Sequence, residues 1–167
     1  YAMGQLNKAI GLIEKIRPLR AKEDSQRWRA AYDLMNSQCL AYRVRLFQYL
    51  LTLDDHAASG RKPKDPKDNR WDIHYNGKYL EPTDEQFDRI KNAFKIKESK
   101  SEYAALLQTE IQKSNEAFDA VAREHAGTPW AGRAIWDKGR GYGFRFDSTF
   151  WDPRYAEVGK RIKVPKF

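Results

Sequence analysis

Between residues 28 and 53 one pattern leaves little choice of fold. Trp28, Tyr32, Met35, Cys39, Tyr42, Leu46, Tyr49 and Leu53 follow one another at alternating steps of four and three. Such steps keep side chains on one stripe of an α-helix, whereas a strand turns its faces over every two residues. Sustained over several heptads, the stripe predicts a long helix with a seam for a partner helix. A second stripe, Leu40, Val44, Phe47 and Leu51, opens in the later half. The helix is therefore expected to be covered on two sides there, with Arg45, Gln48 and Thr52 turned to water.

The rest of the chain supplies partners. Leu6, Ile10, Ile13 and Ile16 predict a helix from about Met3 to Arg17, which Pro18 should stop because proline disfavours helical geometry in the residue before it. Gly60 to Asn69 has two prolines, six charges and no apolar residue, and reads as an exposed loop. Trp71 to Gly77 alternates and ends in Asn-Gly, which predicts a short strand entering a tight turn. Thr83 with Gln86 and Ser99 with Glu102 have capping-box spacing. Behind them Phe87, Ile90 and Phe94 mark a short helix. Tyr103, Leu107, Ile111, Phe118 and Val121 mark a longer one ending near His125. Gly127 stops it, and Thr128-Pro129 opens another helix, with Trp130, Ala131, Ala134 and Ile135 on its buried side. The stretch from Arg140 is irregular and aromatic, with room for a strand around Phe144-Arg145-Phe146 and a turn at Asp152-Pro153. It closes on Lys163-Val164-Pro165-Lys166-Phe167.

Composition narrows the function. The 167 residues carry 31 Lys plus Arg against 23 Asp plus Glu, a net charge of +8. Five Trp, nine Tyr and eight Phe argue against a disordered chain, which needs few aromatics. The single cysteine, Cys39, excludes an intrachain disulfide framework and a cysteine-rich zinc site. No apolar run approaches the ~20 residues that cross a bilayer, so no membrane insertion of this segment is expected. The opening Tyr1-Ala2-Met3-Gly4 lacks the basic and apolar regions of a signal peptide and reads as a cut through a longer chain, whose missing part would set the compartment.

The tail from Ala131 to Phe167 holds nine basic and four acidic residues. Arg140, Arg145, Arg154, Lys160, Arg161, Lys163 and Lys166 are accordingly the candidate contacts for a polyanion or a protein partner. Arg140-Gly141-Tyr142-Gly143-Phe144 copies the opening of the aromatic octamer that stacks RNA bases, but Arg145 and Asp147 then stand where an aliphatic and an aromatic residue are needed. Catalysis has weaker support. Asp54-Asp55-His56 is the one hydrolase-like grouping, no second histidine lies at metal-binding spacing, and Cys39 sits on the helical seam. Gly139 to Gly143 matches neither a dinucleotide nor a P-loop fingerprint. The reading assigns no catalytic residue, no metal and no cofactor.

Arg27 to Leu34 leading into Ala41 to Leu46, then Glu124-His-Ala-Gly-Thr-Pro-Trp-Ala131, Asp152-Pro-Arg-Tyr155 and Val158-Gly-Lys-Arg-Ile162 form a further set. Together they resemble the C-terminal helical region of large bacterial von Willebrand factor A-domain proteins of the planctomycete kind. The Gly-Thr-Pro-Trp-Ala stretch is also similar to the join between tetratricopeptide-like repeats. The resemblance implies an accessory region beside an A domain. Asp147-Ser148-Thr149-Phe150-Trp151 lacks the serines of the A-domain metal motif, so no metal residues are carried over.

These readings combine into a mainly α fold of antiparallel helical hairpins, a tetratricopeptide-like bundle with a short strand segment and an irregular wrapping tail. One helical domain is expected over 1–167. It comprises a long hairpin at 1–57, an exposed loop with a strand at 58–82, a second hairpin plus short helix at 83–139, and the basic aromatic tail at 140–167. Trp28, Trp130, Trp136 and Trp151 are expected to anchor the tail, with the aromatic rings gluing helices and none forming an exposed face. The function expected is non-catalytic protein interaction or scaffolding with a protein partner. The alternative is RNA or DNA binding through the tail.

Overall fold

A computed structural model of the chain describes residues 2–161. The elements are α1 (Ala2–Arg20), α2 (Gln26–Ser59), β1 (Arg70–Asn76), α3 (Asp84–Phe94), α4 (Lys100–Glu124), α5 (Pro129–Gly139), β2 (Gly143–Thr149) and α6 (Arg154–Arg161). The fold is mainly α with one small antiparallel sheet. α2 is its axis: α1, α3, α4, α5 and β2 all pack on it. Both capping boxes form, at Thr83 with Gln86 and at Ser99 with Glu102, and Thr128 caps α5 with Pro129 behind it. These signals are local, so they act wherever the chain places them.

α1 runs past Pro18 to Arg20 instead of stopping before it. The proline removes one hydrogen bond near the helix end, and the last turn is held from outside. Arg20 reaches Asp33 of α2 at 2.5 Å and Glu124 of α4 at 2.9 Å. α2 starts at a Ser25 cap and ends at Gly60, whose φ of 56° is the left-handed stop.

The face of α2 that the core uses is not the predicted seam. Its buried residues are Ala30, Ser37, Ala41, Val44, Arg45, Phe47, Gln48, Leu51 and Thr52. Small residues at 30, 37 and 41 allow neighbouring helices to approach closely. From Val44 onward the second predicted stripe takes over and joins Phe87, Ile90, Leu107, Phe118, Val121 and Ala134 in one core. Arg45, Gln48 and Thr52, expected in water, are at most 4% exposed. Burial of such groups is tolerable only when they are hydrogen-bonded, and each is. Gln48 pairs with the backbone of Leu80, Thr52 donates to the Gln48 carbonyl, and Arg45 donates to the carbonyls of Asp137 and Gly141.

Two further expectations change. β1 pairs antiparallel with β2, Ile73 opposite Phe146, so Asn76-Gly77 does not close a hairpin. Asn76 Oδ1 instead accepts from the Lys78 N–H and turns the chain toward α3. As far as Arg161, the tail forms the strand expected around Phe144-Arg145-Phe146, as β2, and then the helix α6, an element not expected from the sequence. Asp152-Pro153, read as a turn, starts a helix in which Asp152 Oδ1 accepts from the Arg154 N–H. α4 packs chiefly against α2 and α5, while α3 lies on α2. The closing stretch Lys163 to Phe167 lies outside the described residues.

The glycines around β2 explain themselves here. A Cβ on Gly143 would stand 1.5 Å from the Lys78 carbonyl oxygen, and Gly141 has φ +69° with Gly77 packed against it. Gly141 and Gly143 thus serve close backbone approach, while a Cβ on Gly139 would meet no atom.

Candidate interaction face

Between Ala31 and His56 the exposed residues of α2 are Met35, Tyr42 and Tyr49, spaced seven apart, with Trp28 seven before them. Their exposures are 67% for Trp28, 52% for Met35, 38% for Tyr42 and 36% for Tyr49. This row is one half of the predicted seam; the other half, Tyr32, Cys39, Leu46 and Leu53, is half-buried. A helix enclosed on its other sides ordinarily gives its water-facing line polar residues. Here that line is apolar and aromatic.

The expected aromatic glue is therefore corrected. Of the four tryptophans named as anchors, Trp130 packs against the core, while Trp28, Trp136 and Trp151 are exposed. Ile135, placed on the buried side of α5, is 63% exposed.

Beside Tyr42 stands a chain of alternating guanidinium groups and rings. Arg133 lies 4.5 Å from the Trp136 ring centre, and Arg140 lies 4.3 Å from Trp136 and 3.7 Å from Tyr75. Arg45 follows at 5.3 Å from Tyr75 and 5.6 Å from Tyr142. Arg133 and Trp136 lie on one side of α5 and Arg140, its C-cap, continues that side by a step of four, while Tyr75 comes from β1 and Arg45 from α2. Each such contact is worth about 0.5–1 kcal/mol at the surface and about 2 when water is excluded.

Asp137 is the carboxylate in this group and is fully buried. Its Oδ2 accepts from Gln38 at 2.7 Å and Arg133 at 3.0 Å, and its Oδ1 faces Arg140 at 3.5 Å. Burial alone would raise its pKa, but the Gln38 and Arg133 hydrogen bonds and the Arg45 charge hold it below the ordinary carboxylate value. Arg45, 2% exposed, donates Nη2 to the Asp137 carbonyl at 2.5 Å and Nε to the Gly141 carbonyl at 2.9 Å. Its Nη1 has no hydrogen-bond partner among the described residues. Burial lowers its pKa more than Tyr75, Asp137 and Tyr142 raise it, and the Arg140 charge adds to the lowering.

Of the seven basic candidates from the sequence, Arg140 belongs to this array. Arg145 pairs with Asp147 at 2.7 Å, Arg154 with Asp152 at 2.5 Å, and Arg161 is exposed. Lys160 lies in α6, and Lys163 and Lys166 lie outside the described residues. The RNA-like pentapeptide presents no open stacking surface. Tyr142 and Phe144 are each 9% exposed, and the Tyr142 hydroxyl bonds Ser114 and Asn115 inside the bundle.

The other reactive-looking groups are bound into structure. Asp54 pairs with Arg89, Asp55 with Arg61, and His56 stacks on Phe146 at 4.3 Å and meets Trp71 edge-on at 4.5 Å. Asp33, Glu124 and His125 bring ligand-type atoms within 4.8 Å of one another. The Arg20 guanidinium already lies among them, on both Asp33 oxygens and on Glu124, with His125 Nε2 2.9 Å from Asp33. This network joins the ends of α1 and α4 to α2. Burial pushes the Cys39 thiol up, away from thiolate chemistry.

Sequence reading missed Arg45, Tyr75, Arg133 and Asp137. The spacing of Arg133, Trp136 and Arg140 was a usable signal for one side of α5; Arg45 and Tyr75 join it only through tertiary packing. No family model, no curated protein and no solved structure matches the chain.

Proposed function

We propose that this chain is a non-catalytic protein-interaction module that receives an acidic amphipathic helix along Trp28, Met35, Tyr42 and Tyr49, beside Trp136. The observation that carries the reading is the apolar solvent line on an otherwise enclosed helix. Seven residues rise about 10 Å, so the line is about 30 Å long, the length of a helix of about 20 residues. Its spacing suits a partner helix lying nearly along α2. Charge supplies the choice of partner. Arg133 and Arg140 at the edge of the line share the single carboxylate Asp137 with the buried Arg45, whereas Arg43, Lys138 and Arg145 are paired with Glu110, Asp119 and Asp147. The resemblance to the C-terminal region of von Willebrand A-domain proteins, and to tetratricopeptide-like joins, agrees with an accessory binding role in a larger protein and belongs to the same proposal.

Fluorescence polarisation with a labelled acidic amphipathic peptide of about 20 residues tests it. Saturable binding is expected, at least tenfold weaker in Met35→Asp and Tyr42→Asp, with unchanged circular dichroism. Two results would overturn the proposal. Self-association broken by Met35→Asp would assign the face to a second copy. Tighter, steeply salt-dependent binding of a short RNA, lost when Lys160, Arg161, Lys163 and Lys166 are neutralised, would assign the function to the basic tail.

A further inference from the structure

The Arg–aromatic array holds three guanidinium cations, Arg45, Arg133 and Arg140, around one carboxylate, Asp137. Arg45 is inside the protein, and its hydrogen-bond acceptors among the described residues are two neutral carbonyl oxygens. A buried cation is ordinarily paired with an anion, because neutral dipoles replace only part of the lost hydration. The orphaned Nη1 of Arg45 marks the same deficit. The Asp137 carboxylate relieves it in part by charge alone, and that carboxylate is shared with Arg133 and Arg140; Lys138, the next cation on α5, pairs with Asp119 at 2.6 Å.

The two outer arginines have unspent capacity. Arg133 meets Asp137 through Nε, and Arg140 through Nη1 at the long distance of 3.5 Å. Neither guanidinium fork is engaged by both prongs of a carboxylate, which is the arrangement it fits best. Both are held in place by rings, Arg140 between Tyr75 and Trp136 and Arg133 against Trp136. Half of the Arg133 side chain is exposed, so its side of the array opens to solvent.

We propose that Arg133 and Arg140, backed by the buried charge of Arg45, form an oxyanion-binding site that takes an acidic side chain of the docked partner. This rests on the docking reading above and names the chemistry that orients the partner on the face. Arg45 acts as a positioning charge: it strengthens the local field without touching the anion, and low polarisability around it makes that field count. Because the array sits beside Tyr42, one carboxylate fixed here sets the register of a helix lying on the α2 line.

Inorganic phosphate serves as the probe of the oxyanion chemistry, followed through the arginine side-chain ¹H–¹⁵N signals and compared with chloride at matched ionic strength. Saturable shifts of the Arg133 and Arg140 signals are expected. The affinity should fall at least tenfold in Arg133→Gln, whose folding is checked by circular dichroism because Arg133 also pairs with the buried Asp137, and stay unchanged in Arg154→Gln. A linear drift equal to that in chloride, or equal phosphate affinity in Arg133→Gln, would overturn the site. The acidic peptide forms the second arm. Phosphate should compete with it, and Arg133→Gln should weaken it about tenfold. A peptide that binds Arg133→Gln as well as the parent leaves the docking face standing and defeats this inference. Phosphate binding without peptide binding defeats the docking reading instead.

Discussion

The side-chain amide of Gln48 and the backbone of Leu80 form a closed pair: Nε2 donates to the Leu80 carbonyl at 2.9 Å, and Oε1 accepts from the Leu80 N–H at 2.8 Å. A fully buried glutamine on α2 thus does for the segment before α3 what a neighbouring strand would do. Replacing it with Leu or Met leaves two backbone groups without partners, each costing about 1–3 kcal/mol. Gln48→Met should therefore lower the unfolding free energy by about 2–4 kcal/mol in urea titration. A loss below about 0.5 kcal/mol, ordinary for a surface substitution, would show that the pair holds nothing.

The tryptophans should separate by burial. Trp130 packs against the core but is partly exposed, so Trp130→Ala should cost about 2–3 kcal/mol, below the ~3–5 of a fully buried ring. Trp28→Ala should fall within about 0.5 kcal/mol of the parent. Trp136→Ala should lose about 1 kcal/mol from its contacts with Arg133 and Arg140. Equal losses at all three positions would contradict this distribution of burial.

Gly143→Ala drives a methyl group into the Lys78 carbonyl, a backbone atom that cannot turn aside. About 3 kcal/mol of destabilisation is expected, the scale of overpacking in a tight interior. Gly60→Ala meets no atom and suffers only its φ of +56°, a strain of about 1–2 kcal/mol. Thermal unfolding of the two variants ranks them, and the reverse order would disprove the close approach of β2 to residue 78.

Asp33 supplies a pH dependence. Burial alone would raise its pKa, but the Arg20 and His125 hydrogen bonds hold it below the ordinary 3.8. The unfolded chain then binds the proton more readily than the folded one. Ionised Asp33 therefore adds stability at pH values above 3.8, and that contribution is lost as pH falls through the lower folded value. Stability should decline between about pH 5 and pH 2, and less steeply in Asp33→Asn. Parallel curves for the two proteins would remove Asp33 from the account.

The candidate face shows where sequence reading stops. The seam Trp28 to Leu53 correctly announces a long helix, yet one row of it faces water. Period shows that residues share a side and says nothing of whether that side is covered. The choice fell to Ala30, Ser37 and Ala41, which let helices come close, and to Arg45 and Gln48, whose polar groups find carbonyls and amides far away in the chain.

What the sequence determined alone is local: the helical stretches up to α5, the Thr83, Ser99 and Thr128 caps and the extended segments from Trp71 and around Phe144-Arg145-Phe146, because propensity, capping and turn chemistry act within a few residues. The pairing of β1 with β2, the burial of Arg45 and the assembly of Arg133, Arg140, Tyr75 and Trp136 were decided by tertiary structure. Each depends on a partner many residues distant, and the free energy of burying a charge or a strand edge exists only once that partner has arrived.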